Sequence, residues 1–117
     1  MKILAVDDDA EFLNMLRENL AHFDLELSYS YEDALSSFKA FKPDLVLLDY
    51  LMEGDKRTGL DLAVDIKKIN PSTPMILVTG VLVRENYELD KIFLEVFKKP
   101  LNTGNLADFI DSLSVLP

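Results

Sequence analysis

Residues Asp44 to Leu62 read DLVLLDYLMEGDKRTGLDL. Leu45-Val46-Leu47-Leu48 run straight into Asp49, and a polar, glycine-containing segment follows. A short, continuously apolar run of this kind reads as a strand buried on both faces, the mark of a parallel sheet. Asp is among the residues least often buried without a partner. A carboxylate at the end of such a strand therefore needs a cation, a hydrogen-bond donor or a chemical task.

The pattern recurs outward from this strand. Ile3-Leu4-Ala5-Val6 and Met75-Ile76-Leu77-Val78 are also continuously apolar. Leu25 to Ser30 alternates apolar and polar, which suits an edge strand with one wet face. Phe93-Leu94-Glu95-Val96-Phe97 is a fifth strand interrupted by one charge, hence a second edge. The segments between are amphipathic. Tyr31, Ala34, Leu35 and Phe38 share one helical face, and Leu106, Phe109, Ile110 and Leu113 repeat the spacing behind Asn102 or Thr103 as caps. Leu13, Leu16 and Leu20 line another helix, with Asp9 as its cap. Leu62, Ile66 and Ile69 line a further one, stopped at Pro71. Arg84 to Lys91 carries the weakest helical pattern. Alternation of strand and helix predicts an α/β three-layer sandwich: a five-stranded parallel sheet with five helices and right-handed crossovers. With strands two and five at the edges, the order is 2-1-3-4-5, flavodoxin-like.

Composition bounds the function. A chain of 117 residues, 49% hydrophobic, reads as a single domain over residues 1–117 with a full core. No repeat or linker interrupts it. Only SVLP follows the last helix, so no output domain is visible. The net charge of −9 argues against direct binding to nucleic acid or an anionic membrane. The absence of cysteine excludes disulfides and thiolate metal sites. No apolar stretch is long enough for a signal peptide or a membrane span, so a cytoplasmic location is expected.

In the 2-1-3-4-5 order, ligands bind beyond the carboxyl ends of the strands, where strands 1 and 3 lie side by side. Strand 1 ends in Asp7-Asp8-Asp9, strand 3 in Asp49, strand 4 in Thr79-Gly80 and strand 5 in Lys98-Lys99-Pro100. Clustered carboxylates repel one another unless a cation sits among them. Mg²⁺ suits such oxygen ligands, keeps waters and shares phosphate oxygens. A facing lysine and hydroxyl suit the remaining oxygens of a phosphoryl group.

KILAVDDD, PDLVLLDYLM, TPMILVTG and KKP, in this order and on these strands, resemble the receiver domain of two-component response regulators. The resemblance covers essentially the whole chain. It implies that Asp49 is the phosphoacceptor. It implies Asp8 as a direct Mg²⁺ ligand, Asp7 as a ligand through water, and the backbone carbonyl of Leu51 as a further ligand. Thr79 would hydrogen-bond the phosphoryl group. Lys99 would pair with Asp49 or its phosphate, and the Lys99-Pro100 bond is expected to be cis. The donor would be a phosphohistidine on a sensor histidine kinase or phosphotransfer protein. The output would be a downstream protein that binds the face made by helix 4, strand 5 and helix 5. The chain would be a monomer or weak homodimer. It would not be an enzyme beyond catalysing its own phosphorylation and dephosphorylation.

The chain departs from the family pattern in places. The usual Met-Pro after the phosphoacceptor is Met52-Glu53, and the next family glycine is delayed to Gly59 behind EGDKRT, giving a longer loop. The aromatic three residues before the lysine is Val96, which has no ring to turn inward. The apolar Val81 to Val83 are then the expected moving patch. Three other readings stand beside this one. A haloacid-dehalogenase-type phosphohydrolase would use Asp7 and Asp9, but its later acidic pair has only Asp108 and Asp111, inside a helix. A receiver-like binding module would not be phosphorylated. An FMN protein would want a Ser/Thr/Gly-rich loop where DDDAEF stands.

Overall fold

Every residue of β3 (Leu45–Leu48) and β4 (Met75–Thr79) is buried, and so is all of β1 (Lys2–Val6) after its first residue. These are the three continuous apolar runs, and they occupy the middle of the sheet. The computed structural model describes residues 1–80, 87–100 and 102–114. With β2 (Asp24–Ser28) and β5 (Glu95–Lys98), the strands form one parallel sheet in the order β2-β1-β3-β4-β5.

Side chains alternate across a strand, so each central strand feeds two cores. Leu4, Val6, Val46, Leu48, Met75 and Leu77 point to one face. They pack there against Tyr31, Ala34 and Phe38 of α2 (Tyr31–Phe41) and Leu62, Ala63 and Ile66 of α3 (Gly59–Ile69). Ile3, Ala5, Leu45, Leu47, Ile76 and Val78 point to the other. They meet Leu13 and Leu16 of α1 (Ala10–Asn19) and Leu106 and Ile110 of α5 (Thr103–Ser114). Among the described residues, no helix is long and apolar enough to cross a membrane.

Several boundaries differ from expectation. These four helices have ten to twelve residues, but the expected fifth, α4 (Tyr87–Ile92), has only six. It lies where the apolar periodicity is weakest. β2 ends at Ser28 rather than Ser30, because Ser30 caps α2, its hydroxyl accepting from the Asp33 N–H at 3.2 Å. β5 begins at Glu95 rather than Phe93. The Phe93 N–H closes α4 on the Leu89 carbonyl, and its ring is buried in the core beneath α2 and α3. Asp9 caps α1 as expected, accepting from the Phe12 N–H at 3.2 Å. Asn102 caps α5, accepting from the Gly104 and Asn105 N–H groups, while the Thr103 hydroxyl accepts instead from Asn19 at 2.7 Å.

Candidate functional site

Val6 pairs with Leu48 in the β1–β3 register, so the residues that follow, Asp7 and Asp49, leave the sheet side by side. The Asp7 N–H donates to the Ser28 carbonyl and the Asp49 N–H to the Val6 carbonyl, each at 3.1 Å. Both aspartates are thus held by backbone bonds before their side chains act. Both are buried, while Asp8 is exposed. One oxygen from each of the three carboxylates lies within 4.8 Å of the other two.

Lys99 reaches this cluster from the end of β5. Its N–H donates to the Thr79 carbonyl at 2.9 Å, and the Lys99-Pro100 bond is cis. Its ammonium lies 2.6 Å from Asp7 Oδ2 and 3.4 Å from Asp49 Oδ2, and sits 4.3 Å over the Phe12 ring. The resemblance implied a pairing with Asp49, yet the shorter contact is to Asp7. Asp7 is the more deeply buried carboxylate, and a buried charge demands a counter-charge most.

The remaining bonds come from backbone amides. Asp7 Oδ1 accepts from the Asp9 N–H at 2.9 Å, and Asp49 Oδ1 from the Tyr50 N–H at 2.7 Å. Asp8 Oδ2 accepts from the Glu53 N–H at 2.7 Å. Thr79 is buried at the end of β4. It lines a cleft of about 450 Å³ together with Asp7, Asp8, Asp49, Leu51 and Lys99. Leu51 stands at the mouth, 52% exposed. All six residues singled out from the sequence therefore surround one space. Phe12 beneath the ammonium and the Glu53 amide on Asp8 went unforeseen. Phe12 lies off the Leu13-Leu16-Leu20 stripe, and a backbone donor leaves no mark on residue identity. Val81 to Val83 lie outside the described residues, so the expected moving patch is not described. Val96 is exposed on β5.

Burial pushes the Asp7 carboxyl up to about 6, and the nearby Asp49 charge adds to the rise, against the lowering effect of Lys99 and the Asp9 amide. Burial alone would lower the Lys99 ammonium, but Asp7 and Asp49 outweigh it and hold the group above its usual value. One ammonium thus serves three carboxylates. The donor set is all oxygen and carries excess negative charge, which fits a hard divalent cation such as Mg²⁺.

A pH-dependent stability follows. Asp7 binds its proton more tightly folded than unfolded, where its value is 3.8. Its contribution to stability is full below about 4 and is lost as the pH rises through about 6. In metal-free protein, Asp7→Asn is expected to melt a few degrees above wild type at pH 7.5, with the gap closing near pH 4. Thermal melts in chelator at both pH values measure this. A variant less stable than wild type at pH 7.5 would show that the Lys99 bond outweighs the burial cost.

A parallel sheet of this order, with carboxylates, a threonine and a lysine gathered at the switch point of its carboxyl rim, defines a flavodoxin-like domain with an acidic pocket. Residues 3–111 match the family model of the response regulator receiver domain, and the chain belongs to that family. Three solved structures resemble it. A CheY-like response regulator receiver domain protein from Methanospirillum hungatei is 25% identical, with a TM-score of 0.85 over 96% of this chain and 91% of its own. The non-phosphorylated HemR receiver domain from Leptospira biflexa is 23% identical, with a TM-score of 0.87 over 99% and 95%. The NtrX receiver domain from Brucella abortus is 22% identical, with a TM-score of 0.80 over 97% of each chain. Family membership sets aside the phosphohydrolase and FMN readings. The geometry agrees: Asp9 is engaged as a helix cap, and Asp111 pairs with His22 beside the start of β2 at 2.8 Å.

Proposed function

We propose that the chain is a phosphoacceptor receiver, taking a phosphoryl group from a phosphohistidine of a sensor histidine kinase or phosphotransfer protein onto Asp49. The observation that carries this reading is the position of Asp49. Its carboxylate opens into the cleft between the Lys99 ammonium and the Asp7–Asp8 pair. An Asp49 oxygen attacks phosphorus, the P–O bond forms as the P–N bond breaks, and the imidazole leaves with the electron pair. Asp7, Asp8 and Asp49, with the Leu51 carbonyl, would hold Mg²⁺, which neutralises phosphoryl charge when bound. Lys99 takes a second phosphoryl oxygen and the Thr79 hydroxyl a third. Both stand at the rim before the donor arrives, so little reorganisation is needed. The phosphorylated domain would then act on a downstream protein through the face of α4, β5 and α5. Mg²⁺-dependent labelling by acetyl phosphate, followed by mapping of the acyl phosphate, tests the reading. Label on any residue other than Asp49 would overturn it.

The lifetime of the acyl phosphate depends on water reaching phosphorus in line with the Asp49 oxygen. Leu51 stands at the mouth of the cleft and cannot hydrogen-bond a water. An apolar side chain there excludes the attacking water rather than orienting it. Slow phosphate loss is therefore expected, suited to a lasting signal. Leu51→Asn combined with Val81→Glu is expected to speed the loss about tenfold, within the range that positioning effects supply. The rate of phosphate release from labelled protein measures it. An unchanged rate would mean that these side chains do not guard the site.

A further inference from the structure

The long loop after β3 is pinned at one point. Met52 is buried in the core, and the Asp55 N–H donates back to its carbonyl at 3.1 Å, across Gly54 at φ +80°. Arg57 then grips Asp55 with two prongs, Nε to Oδ1 at 3.0 Å and Nη2 to Oδ2 at 2.9 Å. The same guanidinium lies 3.8 Å over the ring of Tyr31, which is buried at the start of α2. It also comes within 3.6 Å of Glu32. The Tyr31 hydroxyl donates to Asp65 of α3, so the ring under the guanidinium is itself held. An exposed ion pair alone contributes little. This one is bidentate and flat against a buried ring, which adds geometric definition and a cation–π attraction.

The pinned segment bears on the acidic cluster through its backbone. Glu53, between Met52 and the Asp55–Arg57 pair, donates its N–H to Asp8 Oδ2 at 2.7 Å. That bond occupies one oxygen of Asp8 and fixes the direction of the other. We propose that Arg57 is a positioning residue for the divalent cation: by clamping Asp55 against Tyr31, it holds the Glu53 amide on Asp8 and so presets that carboxylate. The inference rests on the metal site of the proposed function. Arg57 touches neither the cation nor the phosphoryl group. Its effect passes through the loop, Glu53 and Asp8.

The test is titration with Mg²⁺ alone, followed by amide chemical shifts, together with hydrogen exchange of the Glu53 amide in metal-free protein. Loss of groups that orient a metal ligand typically costs 10–100-fold in affinity, and the lower end suits a residue one step further out. Arg57→Ala is expected to raise the Mg²⁺ dissociation constant about tenfold and to strip the Glu53 amide of exchange protection. Its fold should survive, because the Thr58–Asp61 capping box still starts α3. Arg57→Lys should not rescue, since a point ammonium cannot fork to Asp55 while lying flat on the ring. Asp55→Ala should reproduce the loss, with no further loss in the double variant. Tyr31→Phe keeps the ring and should bind Mg²⁺ as wild type does. Unchanged affinity and unchanged Glu53 protection in Arg57→Ala would overturn the clamp, and so would full rescue by lysine. Wild type that binds no Mg²⁺ would instead overturn the metal site, while the metal-free exchange measurement still decides whether Arg57 holds Glu53.

Discussion

Asp49→Asn is expected to reduce labelling by acetyl phosphate to background while the protein stays folded. Asparagine has nearly the shape of aspartate, so the Asp49 N–H bond to Val6 and the strand register are kept. The amide side chain, however, offers no carboxylate oxygen to attack phosphorus, and nothing nearby replaces it in the same place. Asp7 is tied to Lys99 and the Asp9 amide, and Asp8 to the Glu53 amide. The substitution also removes a negative charge that raises the Asp7 carboxyl, so Asp7 should titrate lower in this variant than in wild type. Two readouts therefore accompany one change: a lost label and a shifted titration at Asp7, the latter visible by carboxyl-carbon resonance. Full labelling of Asp49→Asn together with none in Asp7→Asn would place the nucleophile at the end of β1.

The sheet was legible because its three central strands are buried on both faces and therefore carry no polar interruption. Once β1 and β3 are neighbours, the proximity of Asp7 and Asp49 follows, since each stands one residue beyond its strand. Lys99 was legible as a participant but not in its preference for Asp7. That preference depends on relative burial, which the shared strand-end position of the two aspartates does not reveal. The short α4 and the late start of β5 were not legible either. Phe93 has the apolar character of a strand residue but is used as a helix-end core residue. EGDKRT reads as an ordinary polar loop, and its contacts join residues far apart in sequence. Arg57 meets Tyr31 and the Glu53 amide meets Asp8, neither of which is periodic.

Gly59→Ala is expected to give the largest loss of stability. Gly59 opens α3 behind the Thr58 cap, and its N–H donates to the Tyr50 carbonyl at 2.6 Å. An added Cβ would stand 2.0 Å from the Asp49 carbonyl oxygen, 2.9 Å from its carbon and 3.1 Å from the Tyr50 Cα. All three are backbone atoms, so no side-chain rotation relieves the overlap. Either the start of α3 lifts away from β3, or the peptide that follows Asp49 moves. The first breaks the bond to Tyr50 and loosens Leu62, Ala63 and Ile66 from the core. The second displaces the proposed nucleophile. Overpacking of this kind costs about 3 kcal/mol at the upper end of its usual range, and an immovable backbone neighbour argues for that end. For a domain of this size, such a loss lowers the melting temperature by roughly ten degrees or more. A shift of about 1 Å at the reacting centre also costs about a hundredfold in rate, so labelling should fall steeply even at temperatures where the variant is folded. Gly54→Ala is the contrast. Its Cβ meets nothing within 4 Å, and only the positive φ opposes it, at about 1 kcal/mol. Thermal melts of the two variants, with acetyl phosphate labelling at low temperature, separate close approach from backbone freedom. If Gly59→Ala melts with wild type and labels normally, α3 does not need its glycine to approach Asp49.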